Sequence, residues 1–431
     1  MIHFIGIKGA GMSSLAQIMY SLGYEVSGSD VEKEFFTEIG LREKNIPVFL
    51  YDANNIKEGM DIVLGNSITE DNVELIKAKE LNLKISSYQE MIGELTKKFS
   101  TIAVSGCHGK TTTTAILSHV LDNAVGCNYL IGDGTGHADK NNKYFALEAC
   151  EYKRHFLIYS HKYSIITNIE LDHVDYYKSI NDIFNAYEDF AKNTEKMVIA
   201  WGDDSYIRKL TPKNILYYGI SDNNDIVAKN ISYNKDNTKF DVYIKGEFYH
   251  HFKLPLFGEH LLLNTLAVIT VCYLENIKPD IIEKHLLTFK GAKRRFNERI
   301  VKDTIIIDDY AHHPTEIKVT IDAARQKYPD KKIIAIFQPH TFTRTKKFMN
   351  EFIYVLNLAD KSYLLDIHPA REKQEEYLDI TSHIIVEKLK NGEYLDTLDI
   401  SKLKSHENEV LVFMGANDLK YLEDEFIELI S

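Results

Sequence analysis

Residues 101–117 read TIAVSGCHGKTTTTAIL. A short apolar run leads into glycines and a lysine, and the threonines that follow open a helical stretch. A phosphate cradle requires this strand–loop–helix order. Backbone N–H groups point inward, the lysine reaches the outer phosphates, and the hydroxyl of Thr111 is placed to hold Mg²⁺. The usual loop reads G-x-x-x-x-G-K-[ST]. Here Gly106 and Gly109 enclose only two residues, and Val104 stands where the first glycine is expected. That leaves a broken loop, a chance match or the loop of a particular kind of ATP enzyme. An ordinary strand–helix connection explains it poorly, because a cation at Lys110 opposes the helix dipole unless an anion is bound. The segment predicts a nucleotide loop made of Ser105, Gly106, Cys107, His108, Gly109, Lys110, Thr111 and Thr112.

The rest of the chain must supply a context for that loop. At 431 residues it exceeds one ordinary core, and about 150 residues per domain suggests roughly three. Hydrophobic content of 44% and charged content of 26% describe a globular protein. The 63 acidic residues against 51 basic ones argue against nucleic acid as a partner, which needs a basic field, but not against small phosphorylated substrates. The N-terminus has no signal-peptide pattern, and no apolar run reaches about 18 residues, so no membrane span is expected. Cys107, Cys127, Cys150 and Cys272 form no C-x-x-C pair, which suits a reduced, cytoplasmic protein.

Residues 1–97 alternate buried runs (IHFIGI, DIVLGN) with amphipathic stretches, the pattern of a parallel sheet with crossover helices. A second unit, 98–293, opens at the phosphate loop. It later changes to period-two alternation around Lys-Gly-Glu in KFDVYIKGEFYHHFKLP, which predicts an edge hairpin. A basic stretch, FKGAKRRFNERI, marks the second boundary. From TIIIDDYA onward, 294–431 repeats the strand–helix alternation.

Chemistry-bearing residues gather at predicted strand ends, where doubly wound sheets build their sites. GIKGAGMSS (6–14) and Asp30 form a glycine turn suited to a diphosphate, through Gly9, Ala10, Gly11, Met12, Ser13 and Asp30. The turn matches G-x-G-x-x-G imperfectly, with Ser14 in the last place, and a tight strand–helix turn accounts for it equally well. EACEYKRHFL leaves Glu148 and Glu151 near one strand end. TNIELDHVD carries Glu170, Asp172, His173 and Asp175 at another. Carboxylates mixed with imidazole suit Mg²⁺, with two ions bridging phosphates and substrate. In DDYAHHPTEI, Pro314 and Glu316 fit a first helical turn, which puts Asp308 to His313 on the preceding loop. The adjacent histidines lack further ligands at zinc spacing, so substrate contact is the reading. Arg344 and Arg371 close two further strand ends, placed to grip a carboxylate or phosphate.

Taken in order, GIKGAGMSSLA, GCHGKTTTT, EACEYKRHFL, TNIELDHVD, FGEHLLLNTLAV, AKRRF, DDYAHHPTEI, FQPHTFTRT, DIHPAREK and GANDL resemble the Mur ligase superfamily over essentially the whole chain. Ligases of that family use a compact G-x-x-G-K-[TS] loop, so the short spacing is the expected one. The resemblance implies an α/β protein of three domains: a Rossmann-like domain for a UDP-sugar, a central P-loop ATPase-type mixed sheet for ATP and Mg²⁺, and a Rossmann-like C-terminal domain for the amino acid. It is nearest to the branch that joins L-alanine to UDP-N-acetylmuramate through an acyl phosphate, in peptidoglycan precursor synthesis. The alternatives are tripeptide recycling onto the same UDP-sugar, an NAD-binding dehydrogenase, and a non-catalytic UDP-sugar sensor. Carried over, Lys110 holds the β/γ-phosphates and Thr111 one Mg²⁺, while Glu151 and His173 ligate the second. Asn264 meets adenine, with His260 beside it. Arg295, His313 and Arg344 serve nucleotide and substrate. A monomer or homodimer is expected. Leu261 replaces the first asparagine of G-x-H-N-x-x-N, Thr341 stands where many members carry arginine, and Cys107 replaces a hydroxyl residue.

Overall fold

The computed structural model describes residues 1–431 except Phe36, Arg371 and Asp418. Arg371 therefore lies outside the described residues. The strands form three sheets. The first contains β1 (Ile2–Ile5), β2 (Val26–Asp30), β3 (Val48–Leu50), β4 (Asp61–Leu64) and β5 (Lys84–Ser87), in the order β3-β2-β1-β4-β5. All its pairings are parallel. The order reverses at β1, and the glycine turn with helix Ala10–Ser21 leaves from that switch point.

The second sheet holds β6 (Ser100–Ser105), β7 (Cys127–Ile131), β8 (Thr135–His137), β9 (Tyr144–Glu148), β10 (His161–Ile166), β11 (Thr194–Trp201), β12 (Ile215–Gly219), β13 (Ile226–Tyr233), β14 (Thr238–Ile244) and β15 (Glu247–Leu254). Their order is β15-β14-β13-β12-β11-β10-β6-β9-β7-β8. The sheet is mixed: β6 pairs parallel with β9 and β10, while β7 and β8 are antiparallel. The β14–β15 connection falls at Lys245 and Gly246, both with positive φ (50° and 85°). A two-residue hairpin turn of matching twist needs that backbone.

The third sheet runs β16-β17-β21-β18-β19-β20, from β16 (Asn297–Val301), β17 (Thr304–Asp309), β18 (Ile333–Phe337), β19 (Lys361–Leu364), β20 (Gly392–Tyr394) and β21 (Val410–Met414). It is parallel except for β16 against β17. Its strands are apolar at consecutive positions because both faces are covered. Ile305, Ile307, Ala335 and Val412 enter one core, and Ile306, Ile334, Ile336 and Leu411 enter the other.

The chain divides into two compact units. One comprises residues 1–229, 242–250 and 263–289, and the other 230–241, 251–262 and 290–431. Within the first unit, a single apolar cluster runs from Phe4 and Leu15 to Phe145 and Phe190. Helix Ala10–Ser21 packs on β8, and a Cβ at Gly136 would lie 2.2 Å from the Ser14 carbonyl oxygen. The Ser14 hydroxyl donates to the Ile131 carbonyl (3.2 Å) and the Gln17 amide to Gly134 (3.0 Å). Among the described residues, no helix is long and apolar enough to cross a membrane.

Candidate active site

The phosphate loop leaves buried strand β6, and helix Lys110–Val125 begins at Gly109, whose φ is +81°. No side chain caps this helix, so its first-turn N–H groups have no acceptor within the helix. Gly106 has φ +140°, and a Cβ there would fall 1.9 Å from the Thr167 hydroxyl; only glycine fits. A Cβ on Gly109 would sit 3.0 Å from the Asn264 amide oxygen, which brings Asn264 against the phosphate loop. Ser105 and Thr112 are buried.

Lys110 Nζ donates to the carbonyls of Gly106 (2.6 Å) and Cys107 (3.2 Å), and pairs with both Glu151 oxygens at 3.1 and 3.0 Å. Burial, the largest single influence, disfavours the ammonium charge, yet the acidic groups around it, Glu151 foremost, together outweigh burial and raise the lysine pKa above its ordinary value. Burial likewise works against the Glu151 carboxylate, and Lys110 with His173 still holds its pKa below the usual range. The two directions agree on a buried ion pair.

Glu148 and Glu151, three residues apart, do different things. Glu148 closes β9, accepts from the Thr111 hydroxyl (3.0 Å) through one oxygen and from the Gly132 N–H (2.7 Å) through the other. Glu151 is fully buried and meets His173 Nε2 at 3.2 Å. Asp172 accepts from the His173 N–H at 2.7 Å. Ligand atoms of Glu151, Asp172 and His173 lie within 4.8 Å of one another. Hard carboxylate oxygens with one imidazole fit a divalent cation such as Mg²⁺ or Mn²⁺, and the oxygen pair of Thr111 and Glu148 fits Mg²⁺ equally. The backbone around these groups is unusual: Lys153, Arg154 and His173 have φ of +52°, +60° and +47°. Non-glycine residues in that region cluster at functional sites. Asp175 accepts from the Tyr152 hydroxyl (2.9 Å), and Glu170 lies 3.4 Å from His108 Nε2.

At the N-terminal turn, Gly9 caps the helix without a side chain, leaving the first-turn amides of Ala10, Gly11 and Met12 facing outward along the axis. The other predicted contacts are engaged within the protein. Asp30 accepts from the backbone N–H groups of Lys8 (2.7 Å) and Val31 (2.8 Å). The Ser13 hydroxyl donates to the Thr37 carbonyl (2.7 Å), and the Met12 side chain is in the core.

In the second unit, burial pushes His260 down to about 4, Asp322 pulling upward and Arg295 downward. Arg295 stacks over Tyr310 (5.1 Å) and reaches Glu316 at 3.7 Å. His313 caps helix Pro314–Lys327: its ring accepts from Thr315 N–H (3.4 Å), and Glu316 accepts from its backbone N–H (3.2 Å). Asp308 and Asp309 belong to β17, not to the loop expected before that helix, because pairing with β21 continues to Asp309 opposite Met414. Arg344 lies on the short helix Phe342–Lys347 and not at a strand end. It is buried, 3.4 Å from His340 Nδ1, and His340 faces His368 and His312 at ring separations of 5.5 and 6.1 Å. Thr341 opens this helix with φ +65°, a strained state for a β-branched residue.

Sequence reasoning passed over Thr167, Asn168 and Asp204. Asp204 holds the loop between β10 and His173, accepting from the Ile169 N–H at 2.9 Å, and Thr167 and Asn168, on that loop, brace the phosphate loop at His108. The dipeptide Thr-Asn at a strand end was the only signal available.

Three family models match the chain: "Mur ligase family, catalytic domain" over residues 1–100, "Mur ligase middle domain" over 104–272, and "Mur ligase, glutamate ligase domain" over 294–417. Among solved structures, the chain is similar to the UDP-N-acetylmuramate–alanine ligase MurC of Thermotoga maritima, at 27% identity and a TM-score of 0.82, covering 100% of this chain and 98% of that one. A murein peptide ligase of Psychrobacter arcticus matches at 24% identity and 0.71, over 99% and 98%. A MurF ligase of Thermotoga maritima in complex with ADP matches at 18% and 0.64, over 97% and 99%. The last two likenesses concern the fold alone. With three consecutive family models along one chain, and three α/β sheets of which the central one carries the compact phosphate loop, the chain belongs to the Mur ligase family of ATP-dependent amide ligases.

Proposed function

We propose that this chain joins L-alanine to the carboxylate of UDP-N-acetylmuramate with cleavage of ATP to ADP and phosphate. One observation carries the reading: Lys110, the Thr111–Glu148 pair and the Glu151–Asp172–His173 cluster converge on one phosphate loop. They do so in a chain similar along its whole length to an alanine-adding ligase.

The acceptor carboxylate attacks the γ-phosphorus, ADP leaves, and an acyl phosphate remains. The alanine amine then attacks the acyl carbon, and phosphate departs from the tetrahedral intermediate. Lys110 turns from Glu151 and the loop carbonyls to the β/γ-phosphates, where its charge offsets that of the transferring group. The first-turn amides of Lys110, Thr111 and Thr112 orient the phosphates. Thr111 with Glu148 would hold one Mg²⁺, and Glu151, Asp172 and His173 a second. When bound, these ions supply charge neutralisation between nucleotide and carboxylate. Asn264, beside Gly109, serves the nucleotide, and the amides of Ala10 to Met12 the UDP diphosphate. Asp30 acts indirectly, by fixing the Lys8 and Val31 amides of that turn. Arg295, His313 and Arg344, in the proposed domain 294–431, serve nucleotide and amino acid, and exclusion of water protects the acyl phosphate.

Phosphate release that requires both UDP-N-acetylmuramate and L-alanine supports the proposal. Release that proceeds with a murein tripeptide and ignores free alanine refutes it in favour of the tripeptide-adding alternative; a murein peptide ligase is among the similar structures.

A further inference from the structure

The phosphate loop does not hold its shape alone. The Asn168 side chain makes a two-point contact with the backbone of one loop residue. Its oxygen accepts from the His108 N–H at 2.9 Å, and its nitrogen donates to the His108 carbonyl at 3.0 Å. The Thr167 hydroxyl donates to the same carbonyl at 2.5 Å and occupies the space where Gly106 would carry a Cβ. Around this pair, the Cys107 N–H donates to the Asn168 carbonyl (3.4 Å). The Cys107 thiol donates to the Glu170 carbonyl (3.0 Å) and accepts from its N–H (3.2 Å).

We infer that Asn168 is a positioning residue for the nucleotide, clamping the phosphate loop and setting its distance from the loop that carries Asp172 and His173. The inference rests on the nucleotide site proposed above. The physics lies in the two peptide groups flanking the His108 Cα. A carbonyl free to rotate toward the bound anion repels it, whereas two donors on one oxygen hold that carbonyl on the β10 side. The His108 N–H is consumed as well, so the anion is left to the amides that follow it. The same residue is the third before Leu171, directly ahead of the Asp172–His173 pair, so a shift in the clamp moves the two halves of the site against each other.

Calorimetric titration with Mg·ADP tests this, with UDP as a parallel probe of the N-terminal turn. Asn168→Ala is expected to weaken Mg·ADP binding about tenfold, the cost of one or two buried hydrogen bonds, and to leave UDP binding within about twofold of the wild type. Asn168→Asp keeps the shape and the acceptor but loses the donor and adds charge. Its Mg·ADP affinity, relative to wild type at each pH, is expected to recover as the acid is protonated and donates again to the His108 carbonyl. That rescue is not produced by a general loss of packing. The isosteric variant also carries the test if Asn168→Ala does not fold. Both variants binding Mg·ADP like the wild type, or an Asn168→Asp affinity with no recovery at low pH, would overturn the inference while the ligase reading stands. A wild-type protein that binds no Mg·ADP would overturn both.

Discussion

Lys110→Met removes one member of a buried ion pair and leaves the other in place. Glu151 is fully buried and Lys110 nearly so, their charged atoms 3.0–3.1 Å apart. Breaking such a pair from one side costs about 3–5 kcal/mol, because the surviving charge keeps its desolvation penalty and loses its compensation. His173, 3.2 Å away and partly exposed, stays as a second partner of the carboxylate and offsets a fraction of this. The apparent unfolding midpoint of the variant is therefore expected to fall by about 3–6 °C at pH 8. The pH profile is the sharper readout. In the wild type the folded Glu151 pKa is lowered, so its contribution is present above the ordinary glutamate pKa and fades as pH drops through the folded value. Without Lys110, burial dominates and the folded pKa moves above the ordinary one. The variant should then gain stability relative to wild type as pH falls from 8 towards 5. Thermal unfolding followed by circular dichroism across that range gives both quantities. A Lys110→Met protein that melts with the wild type at pH 8, or that loses stability in parallel with it on acidification, would refute the assignment of a charged, mutually compensated pair.

Four other outcomes follow from local geometry. Gly106→Ala places a Cβ 1.9 Å from the Thr167 hydroxyl at φ +140° and is expected to abolish Mg·ADP binding. Gly59→Ala, with φ +80° but open space around it, costs only about 1–2 kcal/mol in thermal unfolding. Glu148→Gln keeps an acceptor for Thr111 but loses the charge, so phosphate release should need roughly tenfold more Mg²⁺ for half-activation; an unchanged Mg²⁺ curve removes Glu148 from the metal site. Burial raises Asp309 to about 6, with Arg295 pulling it down, while its oxygens accept from the Ala311 and Phe296 N–H groups. A raised carboxyl stabilises the fold most below its ordinary pKa and loses that contribution as pH rises through about 6. Asp309→Asn should flatten that segment of the stability profile, at a cost of about 1–3 kcal/mol for the backbone donor that now faces an amide N–H.

Much of this organisation was legible from local pattern. The unbroken apolar run of Ile305–Ile307 announces a strand covered on both faces, the glycines and Lys110 announce an anion site, and the Lys245–Gly246 pair announces a hairpin. Ten ordered motifs placed the chain in its family. The remainder depends on contacts that join distant segments. Glu148 and Glu151 sit three residues apart near one strand end, and only contacts with distant segments separate them: Glu148, the last residue of β9, meets Thr111 and Gly132, while Glu151, beyond the strand, meets Lys110. The reach of β17 through Asp309 comes from its pairing with β21, about a hundred residues away in sequence. Asp30 and Ser13 carry residue types suited to a ligand and also bond to backbone groups of Lys8, Val31 and Thr37, contacts that spacing alone does not reveal.

The seat of Gly106 beneath the Thr167 hydroxyl has a consequence for anyone moving this loop to another protein. A longer phosphate loop can wrap an anion with its own backbone. This one is two residues shorter, and the neighbouring strand end supplies the missing wall. The transferable unit is therefore two segments, residues 105–111 and 167–170, which must travel together with their spacing intact. A graft of GCHGKT alone into a foreign strand–helix junction would be expected to arrive as an unstructured turn.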